Sequence, residues 1–278
     1  MAGEENPTAA ALKDTSVPVV TQPETATLTP LRISDATLLP YDTATRWRAW
    51  PAFGKSVLIT LVGLGVAGIV IAVGHAVTGP TGVDLADGTV VLAMLMSQAV
   101  TALWALKAAG AKGDKLTTVL ALKAPAGGFS TYLKALGILL AVVTIYTVVT
   151  TTIFDHDAKA DMEFSLKFFR GEWWWAMLVI TGIGAPLSEE LLFRGFLQTA
   201  LVPSRLGFWG ASLATTILWT TLHAYSLVGM VQIFIIGLLF ALFLRRTGSL
   251  RVTLLCHSLY NTAIALMLIF APKEWLGF

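Results

Sequence analysis

Long apolar stretches separated by short polar segments dominate the chain after residue 50. A helix needs about 20 mainly apolar residues to cross the hydrocarbon core of a bilayer. Seven stretches approach this length: 56–77, 89–108, 133–154, 173–201, 208–225, 228–244 and 252–270. The pattern therefore predicts an all-α fold, a polytopic transmembrane helix bundle with about seven to eight spans.

The first 45 residues differ sharply from the rest. They are rich in Ala, Thr and Pro, and they contain no apolar run, so they cannot bury enough surface to fold alone. Arg46, Trp47, Arg48 and Trp50 follow, and this mixture of cations and indoles suits the lipid headgroup layer. We predict a disordered cytoplasmic tail over 1–45 and one transmembrane domain over 46–278, surrounded by membrane lipid.

The charges of the loops predict the orientation of the bundle. The loop between the first two spans carries Asp84 and Asp87 but no Lys or Arg, and the segment 155–172 is mainly acidic. The next loop is basic, and its lysines are Lys107, Lys112, Lys115, Lys123 and Lys134. Basic loops stay in the cytoplasm, so the N-terminus is predicted to be cytoplasmic and the C-terminus outside. The short loops favour a bacterial inner (plasma) membrane.

Composition excludes several classes of function. Hydrophobic residues make up 55% of the chain and charged residues 13%, whereas a soluble domain carries about 25% charged residues. The net charge of +2 is dispersed among loops and forms no basic face, so no nucleic-acid partner is expected. The single cysteine, Cys256, excludes an internal disulfide.

Strongly polar residues interrupt three of the predicted spans. Glu189, Glu190 and Arg194 lie in the fourth, although an ionised group at that depth costs at least about 2.5 kcal/mol. In the fifth, Trp219 precedes His223 by one helical turn; in the seventh, His257 and Asn261 have the same spacing and share a face. Such groups normally face the bundle interior and each other, which indicates one shared polar site.

The three clusters resemble the signature of the CAAX prenyl protease type II and bacteriocin-processing (CPBP, or Abi) family of intramembrane proteases. That family carries Glu-Glu-x-x-x-Arg, then Phe-x-x-x-His, then His-x-x-x-Asn/Asp on successive helices. This chain has the first motif at Glu189, Glu190 and Arg194 and the third at His257 and Asn261, and Trp219 replaces the phenylalanine that usually precedes the second histidine. The resemblance covers about 173–270, which we take as the catalytic core.

The resemblance implies an endopeptidase that cuts a membrane-associated protein or peptide in a cavity opening toward the cytoplasm or the lipid. Glu189 would activate a water with the help of His223, while His257 and Asn261 would stabilise the oxyanion. Glu190 and Arg194 would form a structural ion pair. The chemistry agrees, because Arg194 can neutralise one of two adjacent carboxylates and leave the other as a general base.

Some alternatives stay open at this stage. Glu189, His223 and His257 could also furnish the two histidines and one carboxylate of a catalytic zinc site, although no HExxH motif is present. We favour a metal-free mechanism with no cofactor. A non-catalytic immunity or secretion scaffold protein would use the same polar residues only to hold helices together. A proton-coupled transporter would also use buried Glu and His, but no internal repeat supports it.

Overall fold

The computed structural model describes residues 31–32, 41, 44–78, 88–125, 127–154, 156 and 160–272. The tail predicted to be disordered therefore lies almost entirely outside the described residues. A two-residue antiparallel pair joins β1 (Leu31–Arg32) to β2 (Ala44–Thr45). The helices are α1 (Ala49–Thr78), α2 (Gly88–Gly110), α3 (Leu116–Val119), α4 (Phe129–Ile153), α5 (Ala160–Phe169), α6 (Trp174–Leu201), α7 (Gly207–Thr220), α8 (Leu227–Thr247) and α9 (Leu250–Phe270).

The predicted all-α membrane bundle is confirmed. Within the described part of the chain, six helices are long and apolar enough to cross a membrane: α1, α2, α4, α6, α8 and α9. Their outward-facing apolar side chains, such as Leu61, Ile69 and Ile145, are more than half exposed in the protein alone. Water-soluble proteins rarely expose apolar surface along the whole length of several helices, so these are the surfaces that contact lipid. The chain is an integral membrane protein.

Helix α7 corrects the prediction of a fifth span over 208–225. It ends at Thr220, so its 14 residues extend only about 21 Å. His223 consequently lies in the turn between α7 and α8, and not inside a helix as the apolar pattern predicted. The reason is local, because Ser226 caps the next helix by accepting a hydrogen bond from the backbone N–H of Gly229 at 3.1 Å.

Helix α6 is the central element. Half of its span is buried, compared with 11% for α1 and for α4. Two stretches of α6, Ile180–Gly184 and Glu190–Gln198, are π-helical. Wider turns of this kind are rare and occur frequently at functional sites. They bracket the short α-helical piece Ala185–Glu189, which has Pro186 in its first turn and ends at the first of the two glutamates.

Hydrogen bonds between distant segments define the two ends of the bundle. At one end, the backbone N–H of Leu250 donates to Ala121 O at 3.0 Å, and the indole of Trp47 donates to Ala108 O at 2.9 Å. We call this the basic end, because it carries Arg46, Lys112, Lys123, Arg245, Arg246 and Arg251.

The opposite end is the acidic end. There Arg170 donates from Nε to Leu268 O at 3.0 Å, and Asp161 accepts hydrogen bonds from Ser226. It contains residues 156 and 160–172, the turn 221–226 and the last turn of α9. The clusters of α6 and α9 lie between the two ends, and His223 lies in the turn at the acidic end.

Candidate active site

Glu190 and Arg194 form an ion pair in the interior of the bundle. Arg194 Nη1 lies 3.2 Å from Glu190 Oε1, and both side chains are fully buried. The guanidinium also stacks on Trp219, with its Cζ 4.1 Å from the ring centroid. A fully buried charge is tolerated only when it is paired, so each partner requires the other.

Glu189, the adjacent carboxylate, has a different environment. Its side chain is 24% exposed, compared with 0% for Glu190. Its Oε2 accepts a hydrogen bond from the indole Nε1–H of Trp219 at 2.5 Å. Arg194 pairs with the neighbouring Glu190 instead. Among the described residues, the basic side chain within ion-pair distance of Glu189 is His257, whose Nε2 lies 3.9 Å from Glu189 Oε2. Glu189 is therefore the carboxylate that solvent can reach.

The ring of His257 lies between the two carboxylates. Its Nδ1 is 3.2 Å from Glu190 Oε1, and its Nε2 is 3.9 Å from Glu189 Oε2. A carboxylate can only accept, so the imidazole Nδ1–H donates to Glu190. The second distance is too long for a direct hydrogen bond. Nε2 then carries a hydrogen only when His257 is an imidazolium.

His223 has a fixed tautomer. Its Nδ1 lies 2.9 Å from the backbone oxygen of Trp219, which can only accept, so Nδ1 carries the hydrogen in the neutral ring. The lone pair is then on Nε2. The ring packs edge-to-face on the Trp219 indole at 4.8 Å and stacks on Tyr225 at 6.0 Å. These contacts hold His223 as a proton acceptor even though it lies outside a helix.

Asn261 lies one turn beyond His257 on α9. Its Nδ2 donates to the backbone oxygen of Thr181 at 3.2 Å. Thr181 belongs to the first π-helical stretch of α6. This bond uses one of the two amide hydrogens, and the other is available to a ligand.

Two cavities meet at these residues. The first has a volume of about 340 Å³ and is lined by His223, His257 and Asn261, among others. The second, about 290 Å³, is lined by Glu189, His223 and Asn261. Both are also bounded by Trp219 and Tyr225. Glu190 and Arg194 line neither, so the structure separates a buried ion pair from a set of polar groups that line a cavity.

As placed, the residues do not form a metal site. No group of three or more His, Cys, Asp or Glu side chains among the described residues is arranged to hold an ion. The Trp219 ring packs edge-to-face against both imidazoles, with centroid distances of 4.8 Å to His223 and 5.7 Å to His257. Bringing Glu189, His223 and His257 onto one ion would require this indole to move.

Two contributions were not predicted from the sequence. Trp219 was identified only as the replacement for the family's phenylalanine, yet its N–H also binds Glu189. The sequence feature that could have indicated a role for Trp219 in the site is its position four residues before His223. Asp161 was unassigned, and it accepts hydrogen bonds from Ser226 N at 2.7 Å and Ser226 Oγ at 2.9 Å and lies 3.2 Å from His156 Nε2. No sequence motif connects Asp161 to the turn that carries His223.

Comparison with known proteins identifies the family that these residues resemble. Residues 171–263 match the Rce1-like family, described as type II CAAX prenyl endopeptidase Rce1-like. The matched region contains all three polar clusters and both π-helical stretches. No curated protein and no solved structure gives a match. The resemblance to CAAX proteases of type II is thus confirmed, and the match supports an intramembrane protease at the level of the family.

Proposed function

We propose that this chain is an intramembrane endopeptidase that hydrolyses a peptide bond of a membrane-associated protein or peptide, with Glu189 as the general base. The observation that carries the proposal is the asymmetry of the two glutamates. Glu190 is neutralised by Arg194 at zero exposure, whereas Glu189 lines a cavity together with His223 and Asn261. A general base must reach its water, and only Glu189 meets that requirement.

In the first step, Glu189 takes a proton from a water molecule while the water oxygen bonds to the carbonyl carbon of the substrate. The hydrogen bond from Trp219 orients the carboxylate and leaves its other oxygen for the water. Arg194 balances the negative charge of Glu190, which reduces the repulsion between the two carboxylates. Base catalysis of this kind contributes about 10²- to 10⁴-fold to a rate.

The developing oxyanion then needs donors. The free amide hydrogen of Asn261 is one, and Nε2–H of His257 is a second when that ring is an imidazolium balanced by Glu190. One such donor is worth roughly 3 kcal/mol of transition-state stabilisation. His223 accepts on Nε2 the proton that Glu189 took from the water and delivers it to the departing amine as the carbon–nitrogen bond breaks, which returns Glu189 to its charged form. The products are a new carboxylate and a new N-terminus.

The surroundings of the enzyme follow from the charge of its loops. We place the chain in a plasma membrane of bacterial type with a cytoplasmic N-terminus, because the basic end carries most of the Lys and Arg residues. We propose that the mechanism uses no cofactor, because the Trp219 indole donates to Glu189 and packs against both imidazoles.

The test compares cells that express the wild-type chain with cells that express the Glu189→Gln variant. New N-termini in the membrane fraction are mapped by mass spectrometry. Glutamine keeps the shape and the acceptor for Trp219 but cannot take a proton, so cleavage products present with wild type should disappear. The matched control is Glu172→Gln, which changes an exposed carboxylate outside the cavities and should leave the products unchanged.

Retention of all products by a normally folded Glu189→Gln protein contradicts the proposal. That result would favour a scaffold or immunity protein that uses the polar residues for packing alone. Folding is checked by expression level and by the elution volume of the purified protein in detergent.

A further inference from the structure

Both cavities belong to the acidic half of the bundle. The first is bounded by Thr150 near the end of α4, by His156 and Asp161, and by Leu268 in the last turn of α9. The second is bounded by Met94, Phe168, Met177 and Leu222, all from segments at or near the same end. The turn 221–226 forms part of the rim, and most of its side chains are exposed.

The basic half is closed. Below Glu189, every side chain of α6 from Glu190 to Gln198 is buried. Leu120 and Leu250, both fully buried, pack over this part of the bundle from the basic end. The two cavities at the site are lined by residues of the acidic end and by none of the Lys and Arg residues that define the basic end. A substrate therefore reaches the site from the acidic end or from the lipid beside it.

The two ends differ in charge as the two faces of a membrane protein do. The basic end holds Arg46, Lys112, Lys123, Arg245, Arg246 and Arg251 near its helix termini, and Asp114 is the acidic residue there that pairs with Arg46. The acidic end holds Asp161 and Glu172 together with Lys167 and Arg170. Segments rich in Lys and Arg near the spans remain on the cytoplasmic side, and acidic residues have little influence.

We propose that the active-site cavities open on the non-cytoplasmic face of the membrane, so that the substrate is a peptide segment presented from outside the cytoplasm. The resemblance implied an opening toward the cytoplasm or the lipid, and this proposal departs from the first of these two directions. The identity of the substrate as a peptide rests on the proposed function; the direction of the opening does not.

Cysteine labelling tests the direction. The native chain has one cysteine, Cys256, which is fully buried, so the unmodified protein should not react with a membrane-impermeant maleimide. Three variants of the full chain are made in bacterial cells. Leu222→Cys probes the cavity rim, Glu172→Cys marks the acidic end and Lys112→Cys marks the basic end, and all three native side chains are exposed.

Each variant is labelled in spheroplasts, which expose the non-cytoplasmic face, and in inverted vesicles, which expose the cytoplasmic face. We expect Leu222→Cys and Glu172→Cys to react in spheroplasts and to lose that labelling in inverted vesicles. Lys112→Cys should show the reverse. If Leu222→Cys fails to accumulate, Thr221→Cys replaces it, because Thr221 is exposed in the same turn.

Three results would overturn the inference. Labelling of the rim together with Lys112→Cys would place the opening at the basic end. Labelling of the rim and Glu172→Cys only in inverted vesicles would reverse the orientation of the bundle. No labelling of the rim on either side would mean that the cavities are closed to water. Because labelling needs no catalysis, it can succeed even if Glu189→Gln retains full activity, so the two proposals fail separately.

Discussion

Two adjacent carboxylates have opposite environments in the two halves of the bundle. In the basic half, Glu190 is packed at zero exposure against Arg194, and the guanidinium in turn is covered by the rings of Trp219 and Phe240. In the acidic half, Glu189 borders a cavity and remains partly exposed. Of these two neighbouring residues of α6, Glu190 therefore carries a charge that stabilises the bundle, and Glu189 carries a charge that can react. Adjacent residues of a helix point about 100° apart around its axis, so the two carboxylates face different sides of α6.

The largest effect is expected from breaking the buried pair. Arg194→Met keeps a long apolar side chain but leaves Glu190 without a cation. An unpaired charge at zero exposure should lower the free energy of unfolding by roughly 3–5 kcal/mol. Denaturant or thermal unfolding of the purified protein in detergent measures this loss.

Glu189→Gln is the matched comparison for stability. It neutralises the neighbouring, partly exposed carboxylate and keeps the Trp219 hydrogen bond, so its unfolding should resemble that of the wild type. If both variants unfold alike, the contrast between a structural and a reactive glutamate is wrong. If only Glu189→Gln is destabilised, the roles of the two residues must be exchanged.

The sequence located these charges well but could not describe their geometry. Six of the seven predicted spans correspond to α1, α2, α4, α6, α8 and α9, because the length of an apolar run directly reflects membrane thickness. The four-residue spacings of Glu190 with Arg194 and of His257 with Asn261 also place each pair on one side of its helix. The spacing of Glu190 and Arg194 also left Glu189 as the unpaired carboxylate, whereas no residue pattern specifies the π-helical stretches on either side of it.

The turn 221–226 shows a second limit of sequence reasoning. Its residues continue an apolar run, so the pattern extended the fifth span to Tyr225. The local cap at Ser226 begins the next helix, and a long-range contact from Asp161 to Ser226, across 65 positions of sequence, also holds the turn. Nothing in the sequence around His156 indicated that its side chain would be partly buried and lie against Asp161.

A moderate effect is expected from releasing this turn. Asp161→Ala removes the acceptor for two hydrogen bonds from Ser226, each worth roughly 1 kcal/mol. The turn carries His223, so kcat should fall by about tenfold, which corresponds to about 1.4 kcal/mol. KM should change less, because Asp161 acts through the position of His223. Cleavage of a substrate found by the N-terminal mapping measures both constants.

Asp161→Asn provides the control for that experiment. Its amide oxygen can still accept the Ser226 N–H, and its NH₂ group can donate to Ser226 Oγ, so most of kcat should return. Equal loss in the alanine and asparagine variants would show that the negative charge, and not the fixed turn, is what matters. An unchanged kcat in Asp161→Ala would show that Asp161 does not position His223.

The smallest effect is expected from removing metal. A zinc enzyme would need Glu189, His223 and His257 as ligands at about 2.0–2.2 Å from one ion. Trp219 contacts all three of them: its N–H binds the carboxylate, and its ring packs against each imidazole. We therefore expect the purified wild-type protein to contain far less than one zinc per chain, and we expect a chelator to leave the cleavage rate unchanged. Elemental analysis and rate measurements before and after chelation check both outcomes. One tightly held ion per chain, whose removal abolishes cleavage, would mean that the indole moves aside and that Glu189 binds the metal instead of serving as a free base.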